Sequence, residues 1–282
     1  MSIISNEYIN SVINNIAEAL ELKEWTCNKQ SFDKIAQNYF GVIIPIYLSG
    51  QRDNKTVNIP IVLKLAPTDE RYRVSGAVGI FFAKEVFVYR KVLHRYGEIQ
   101  KNYPLIQFVM PECYYFRDDH CHELIAMQNM CERGFKPFDN LPTSACIIDY
   151  QTTRIGSPAF DVLFLIITST TSCLRKKHFK HLLDVYYETF QLTLKYANMN
   201  SEEIYSREML DYDLGIVGPS CFIVANTAMW LASGLQEEGH VRSKIVLNTD
   251  AERTEAVIKY KNIISGIIDD LSDNNYIHSV FL

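Results

Sequence analysis

The stretch Thr56–Pro67, "TVNIPIVLKLAP", alternates as a strand and carries one residue out of place. Successive strand side chains point to opposite faces, so Ile59, Ile61, Leu63 and Leu65 share one face while Val62 and Lys64 share the other. Lys64 therefore stands beside an apolar neighbour in an otherwise apolar segment. Further on, Phe82, Val86, Tyr89 and Leu93 recur at helical spacing and predict a helix over roughly 79–96. Glu85 falls three residues after Phe82 and four before Tyr89, on the apolar stripe of that helix. A strand lysine and a glutamate on the following helix can meet at the seam where helix packs on sheet. The alternative is that both snorkel to solvent.

A third charge is placed as awkwardly. Residues 145–161, "ACIIDYQTTRIGSPAFD", suggest a short apolar strand ending on Asp149, a polar loop, and a helix opened by Ser157 as N-cap with Pro158 at its first position. An aspartate ending a buried strand is costly unless something cationic sits over it, and a magnesium ion is one such thing.

Around these segments, the first half carries strand signals. "GVIIPIYL" and "VNIPIVLKLAP" flank a turn-rich "SGQRDNKT", and "ECYYF" with "CHELIAMQNM" forms a second hairpin. From Ser157 onward the pattern is helical almost to the end, which predicts an α+β protein of two lobes. With 282 residues, 48% of them hydrophobic, the chain can bury a sizeable core. A net charge of -5 and a pI near 5.8 give no bulk attraction to nucleic acid or anionic membrane. Seven scattered cysteines without a CxxC pair fit reduced thiols, so a cytoplasmic location is expected. Residues 1–20 lack the pattern of a secretion signal and are spaced like an amphipathic helix, and the most apolar run, "VLFLII" at 162–167, falls short of the roughly 20 residues of a membrane span.

The order strand lysine, helix glutamate, hairpin, aspartate is that of the protein-kinase-like fold. At finer grain the chain resembles the insect ecdysteroid kinase-like family, relatives of choline and aminoglycoside kinases. The stretches that carry the resemblance are "QNYFGVIIPIYL", "IVLKLAP", "FFAKEVFVYRKVL", "PECYYF" with "LIAMQNMCERGF", and above all "IIDYQTTRIGSPAFDVLFLIITST" followed by "LRKKHFKHLLDVYYETF". The resemblance implies a two-lobed protein-kinase-like α+β fold: an N-terminal nucleotide-binding lobe over 1–128, an antiparallel sheet with one packed helix, and a truncated helical C-terminal lobe over 129–282. It also implies ATP and magnesium as cofactors and a small alcohol, such as an ecdysteroid, as acceptor. Lys64 would hold the nucleotide phosphates, Glu85 would orient Lys64, and Val62 would pack on adenine. Met127 and Asn129 would lie at the hinge, Asp149 would coordinate magnesium, and Asp161 would brace the catalytic loop.

The chain departs from the family in one decisive place. The family's catalytic loop, H-G-D-x-W-x-x-N, supplies the aspartate that takes the acceptor proton and should lie between hinge and metal-binding aspartate. Here Phe138 is followed by "DNLPTSAC" and then at once by "IIDYQ". Eight residues stretch about 28 Å at most, too little for a packed helix and a catalytic loop. This predicts an internal deletion and leaves two readings, an ATP-dependent kinase of a small alcohol and a non-catalytic remnant or pseudokinase that at most binds nucleotide or a partner, and the missing aspartate favours the second for this chain. Asp139 and Asn140 lie near the junction. "DYDLG" at 211–215 imitates a kinase metal-binding tripeptide but is expected to be a helix end with Gly215 as terminator. "HCH" at 120–122 offers metal-ligand residue types, yet is expected to be a surface turn because no second ligand cluster follows at metal spacing. Gly41 stands alone where a glycine-rich phosphate loop would be, and Pro45 is expected to interrupt the strand after it. A deletion would also leave Phe160, Leu163 and Phe164 poorly covered.

Overall fold

The computed structural model describes residues 4–29, 41–135, 144–238, 241 and 243–277. These form two compact units, 1–153 and 154–282. The segment carrying Asp149 and Gln151 is bonded to the strand of Lys64 and falls within the first of these units.

The first unit begins with helix α1 (Asn6–Ala19), capped by Ser5, whose side chain accepts from the Tyr8 N–H. Strands β1 (Lys23–Lys29), β2 (Val42–Arg52) and β3 (Lys55–Leu65) follow in antiparallel order. The loop expected between β2 and β3 shrinks to Asp53 and Asn54, both left-handed (φ 52° and 58°), the backbone a two-residue hairpin turn demands. Pro45 does not interrupt β2. It pairs with Val62 on one side, and the described pairing with β1 on the other side ends at Ile46, where a missing N–H costs little. Gly41 has a steric reason: a Cβ there would lie 2.7 Å from the Leu65 carbonyl oxygen.

After β3 come α2 (Glu70–Ser75) and a continuous helical run of α3 (Val78–Phe87), a π-helical turn (Val88–Leu93) and α4 (His94–Asn102). The hairpin β4 (Cys113–Arg117) and β5 (Leu124–Gln128) completes a five-stranded sheet of order β1-β2-β3-β5-β4. The alternation in β3 puts Ile61, Leu63 and Leu65 under α1, where they pack with Val12, Ile13 and Ile16. On the other face, Ile125 packs with Val86, Tyr89 and Leu93. The sheet therefore carries a second helix, α1, beyond the single one expected.

Residues 144–149 are not a strand. Cys146 makes one isolated bridge to Val109, Ile147 and Ile148 are exposed, and a 3-10 turn follows at Tyr150–Thr152. With no neighbouring strand to take up its N–H and carbonyl groups, an apolar triplet alone does not extend the sheet.

The second unit holds α5 (Pro158–Ser169), α6 (Ser172–Tyr196), the short α7 (Ser201–Ile204), α8 (Arg207–Ala232) and α9 (Asp250–Asp273). Ser157 caps α5 by accepting from the Ala159 N–H, with Pro158 at the first position as expected. Leu163, expected to be poorly covered, is fully buried with Leu183, Leu214, Cys221 and Ile267, while Phe160 and Phe164 are partly buried against the same cluster. Arg175 and Asp270 form a buried ion pair at 2.6 Å. Gly215 lies inside α8 and terminates nothing. Asp213, two positions earlier, is instead a structural acceptor from the hydroxyls of Ser157 and Tyr205. Although no unbroken apolar run is that long, α8, the main part of the helical stretch 201–232, is by length and composition long and apolar enough to cross a membrane. Its buried positions, Leu210, Leu214, Cys221 and Ala225, contribute to the core of this unit.

Candidate functional site

The awkward charges of the first unit converge on one ammonium. β3 directs Lys64 away from α1, and α3 brings Glu85 to the same seam, so Lys64 Nζ donates to Glu85 Oε2 at 2.5 Å. The same nitrogen donates to Asp149 Oδ1 at 2.7 Å and to Gln151 Oε1 at 3.1 Å. An ammonium has three N–H donors, and all three are taken. Gln151 also donates through Nε2 to Asp149 Oδ2 at 3.2 Å, so it bridges the lysine and the aspartate. The ring of Phe82 lies 5.8 Å from Nζ.

The two carboxylates sit in different surroundings. Glu85 is fully buried, and its Oε1 has no hydrogen-bond partner among the described residues. Burial raises its pKa; Lys64 opposes the shift, and the nearby Asp149 charge adds to it. Asp149 is half exposed, its side chain 48% accessible, and its backbone is left-handed at φ 66°. Aspartate tolerates that conformation better than most residues, and the turn aims its carboxylate at Lys64. Tyr150 then packs edge-on to Tyr89 at 5.5 Å, and burial pushes its phenol up to about 12.

Val62 and Met127 face each other across the β3–β5 pairing and are both half-buried. The Tyr89 hydroxyl lies 3.2 Å from the Met127 sulfur. Asn129 is buried and its groups are engaged in shaping the chain. Its N–H donates to the Pro60 carbonyl, its side-chain oxygen accepts from the Cys131 N–H, and its carbonyl accepts from the Glu132 N–H. Asp161 sits in the first turn of α5, beside a cavity of about 250 Å³ also lined by Arg154, Phe160 and Val224. Asp139 and Asn140 lie outside the described residues.

Gln151 escaped the sequence reading, since a polar residue two positions after an aspartate in a loop has no periodicity to betray it. The buried pair of Arg73 and Glu123, which ties α2 to the β4–β5 hairpin, escaped it for the same reason.

A five-stranded antiparallel sheet with a strand lysine paired to a helix glutamate, followed by a helical unit, defines a kinase-like α+β protein. The model of the ecdysteroid kinase-like family matches residues 36–143 and 139–199, more than half of the chain, and the chain belongs to that family. No curated protein and no solved structure matches it.

Proposed function

We propose that this chain is a nucleotide-binding member of the ecdysteroid kinase-like family that does not transfer phosphate. The observation that carries the reading is the convergence of Glu85, Asp149 and Gln151 on Lys64 Nζ. It supports a site for the phosphates of a magnesium nucleotide, with Val62 and Met127 as the apolar surface for the base and Asn129 shaping the turn after β5. A half-exposed carboxylate is a suitable hard-oxygen ligand for magnesium. As magnesium is usually bound through one or two carboxylates plus phosphate oxygens, Asp149 would hold it together with the nucleotide. When bound, the ion neutralises charge on the phosphates. The chain's own residues then have two tasks: Glu85 keeps Lys64 at the seam, and Lys64 must give up Asp149 or Gln151 to donate to a phosphate oxygen.

Transfer is a different matter. The sequence contains no His-Gly-Asp, and the family match falls into two pieces that meet at 139–143, which supports an internal deletion at that point. Without an aspartate to accept the hydroxyl proton and orient the acceptor, positioning is lost. Good orientation is worth effective molarities up to about 10⁵–10⁸ M, so the rate falls by several orders of magnitude. In the family the acceptor would be a small alcohol such as an ecdysteroid, and scattered cysteines without a CxxC pair support a cytoplasmic setting.

The test is to titrate the purified chain with a fluorescent ATP analogue, with and without magnesium, and to assay transfer of the γ-phosphate to ecdysteroids and other small alcohols. Weak, magnesium-dependent binding that disappears in Asp149→Ala, with no transfer, is expected. Turnover that survives stringent purification and is lost in Asp149→Ala would overturn the non-transferring reading. Failure of any nucleotide to bind would overturn the binding reading.

A further inference from the structure

In the same unit, the turn that joins β4 to β5 meets the first residue of α2. Three ligand-type atoms come together there. Glu70 Oε2 lies 3.5 Å from His120 Nε2 and 3.7 Å from Cys121 Sγ, and the three side chains place their donor atoms within 4.8 Å of one another. We propose that Glu70, His120 and Cys121 form a site for a divalent ion of the zinc class, with water in the fourth position.

Direct contacts among the three are weak, the Cys121 thiol donating to Glu70 Oε2 at 3.7 Å. A nitrogen–oxygen separation of 3.5 Å lies beyond the usual hydrogen-bond range, and a thiol is a weak donor. A tetrahedral zinc with bonds of roughly 2.0–2.2 Å to nitrogen and oxygen and 2.3 Å to sulfur holds its ligands about 3.3–3.7 Å apart. Two of the three edges already have that length, and the third closes by a side-chain adjustment of about 1 Å. One carboxylate, one imidazole and one thiolate suit zinc better than magnesium or calcium, which take oxygen.

The arrangement is held from beneath. Arg73, one turn along α2 from Glu70, is buried and makes a two-pronged pair with the buried Glu123, next to the turn, and also donates to the Pro67 carbonyl at 3.0 Å. That pair fixes α2 over the hairpin and so sets Glu70 opposite His120 and Cys121. It also neutralises the guanidinium, whose Nε lies 3.9 Å from Glu70 Oε2 and would otherwise repel a cation there. Cys121 adopts a left-handed backbone at φ 63°, an uncommon conformation for a residue that is neither Gly, Asn nor Asp. Coordination through His120 Nε2 requires the proton on Nδ1. This gives up the 3.5 Å contact of Nδ1 with Arg73, which is too long to be worth much.

The experiment uses the full chain, reduced and stripped of metal. Equilibrium dialysis should show zinc binding with Glu70, His120 and Cys121 all required. Cobalt in its place should give the near-ultraviolet thiolate-to-metal band of a cysteine-ligated tetrahedral ion. Glu70→Gln, His120→Ala and Cys121→Ser should each weaken binding about tenfold or more, since loss of even an outer-shell partner typically costs 10–100-fold. Glu70 and His120 are exposed and Cys121 is half-buried, so circular dichroism should report intact folds. Cys131→Ser and Cys173→Ser, at exposed thiols elsewhere, should leave binding unchanged. Absence of bound zinc, absence of the cobalt–thiolate band, or binding that depends on Cys131 or Cys173 while ignoring Glu70 would overturn the site.

Discussion

Asp149 Oδ1 lies 2.7 Å from Lys64 Nζ although the residues are 85 positions apart, so one buried ammonium serves both Asp149 and Glu85. The lysine is only 3% exposed and cannot turn to water for compensation. Glu85→Gln and Asp149→Asn should each be tolerated, because each leaves Lys64 one carboxylate. The double substitution strands a buried charge and should cost about 3–5 kcal/mol beyond the sum of the single losses. Urea denaturation around the double-mutant cycle measures this, and additive losses would show that the two carboxylates do not share the lysine.

The raised pKa of Glu85 has a sign that can be checked. Above its ordinary value of 4.5, the folded chain retains a proton at Glu85 that the unfolded chain has released. The folded state then binds more protons, and stability falls with increasing pH. The contribution of Glu85 is complete below pH 4.5 and is lost as pH rises through the elevated folded value. Wild type should therefore lose ground to Glu85→Gln as denaturation midpoints are followed upward from pH 4.5. A wild type that gains on the variant over that range would mean the lysine outweighs burial.

Gln151 occupies the third donor of Lys64, and a phosphate oxygen must compete with it. Gln151→Ala should tighten binding of a magnesium nucleotide by about 2–10-fold, the equivalent of one hydrogen bond worth 0.5–1.5 kcal/mol. Titration with a fluorescent analogue reads this directly. Weaker binding would place Gln151 among the groups that touch the nucleotide.

Two glycines of α8 should respond in opposite directions. A Cβ at Gly218 would fall 2.0 Å from the Tyr276 carbonyl oxygen, backbone that cannot yield, whereas nothing lies within 4 Å of one at Gly215. Gly218→Ala should cost about 1–3 kcal/mol or more. Gly215→Ala should gain about 0.5–1 kcal/mol, because alanine loses less backbone freedom on entering a helix. Thermal melts of the two variants settle the pair.

The solvent side of α8 exposes Tyr212, Ile216 and Ile223, at 72%, 59% and 65%. Exposed apolar side chains on one helix favour association. Sedimentation should show concentration-dependent self-association that Ile216→Glu with Ile223→Glu relieves. A monodisperse wild-type monomer would show that this exposure is tolerated in water.

What the sequence determined by itself was everything with a local period or a local chemical rule. Alternation put Lys64 on the face opposite Ile61 and Leu63, helical spacing put Glu85 on a buried stripe, and Ser-Pro marked the start of α5; each is a property of a few consecutive residues. The family was legible for the same reason, since its motifs are short runs. Tertiary structure decided the rest. It set Lys64 Nζ against Asp149, left residues 144–149 without a neighbouring strand, kept Pro45 inside β2, and placed Gly215 within a helix. It also brought Glu70 to a turn 50 residues further on. Such outcomes depend on which distant segments meet once the apolar faces are buried, and contacts between distant residues leave no periodic trace in the chain that makes them.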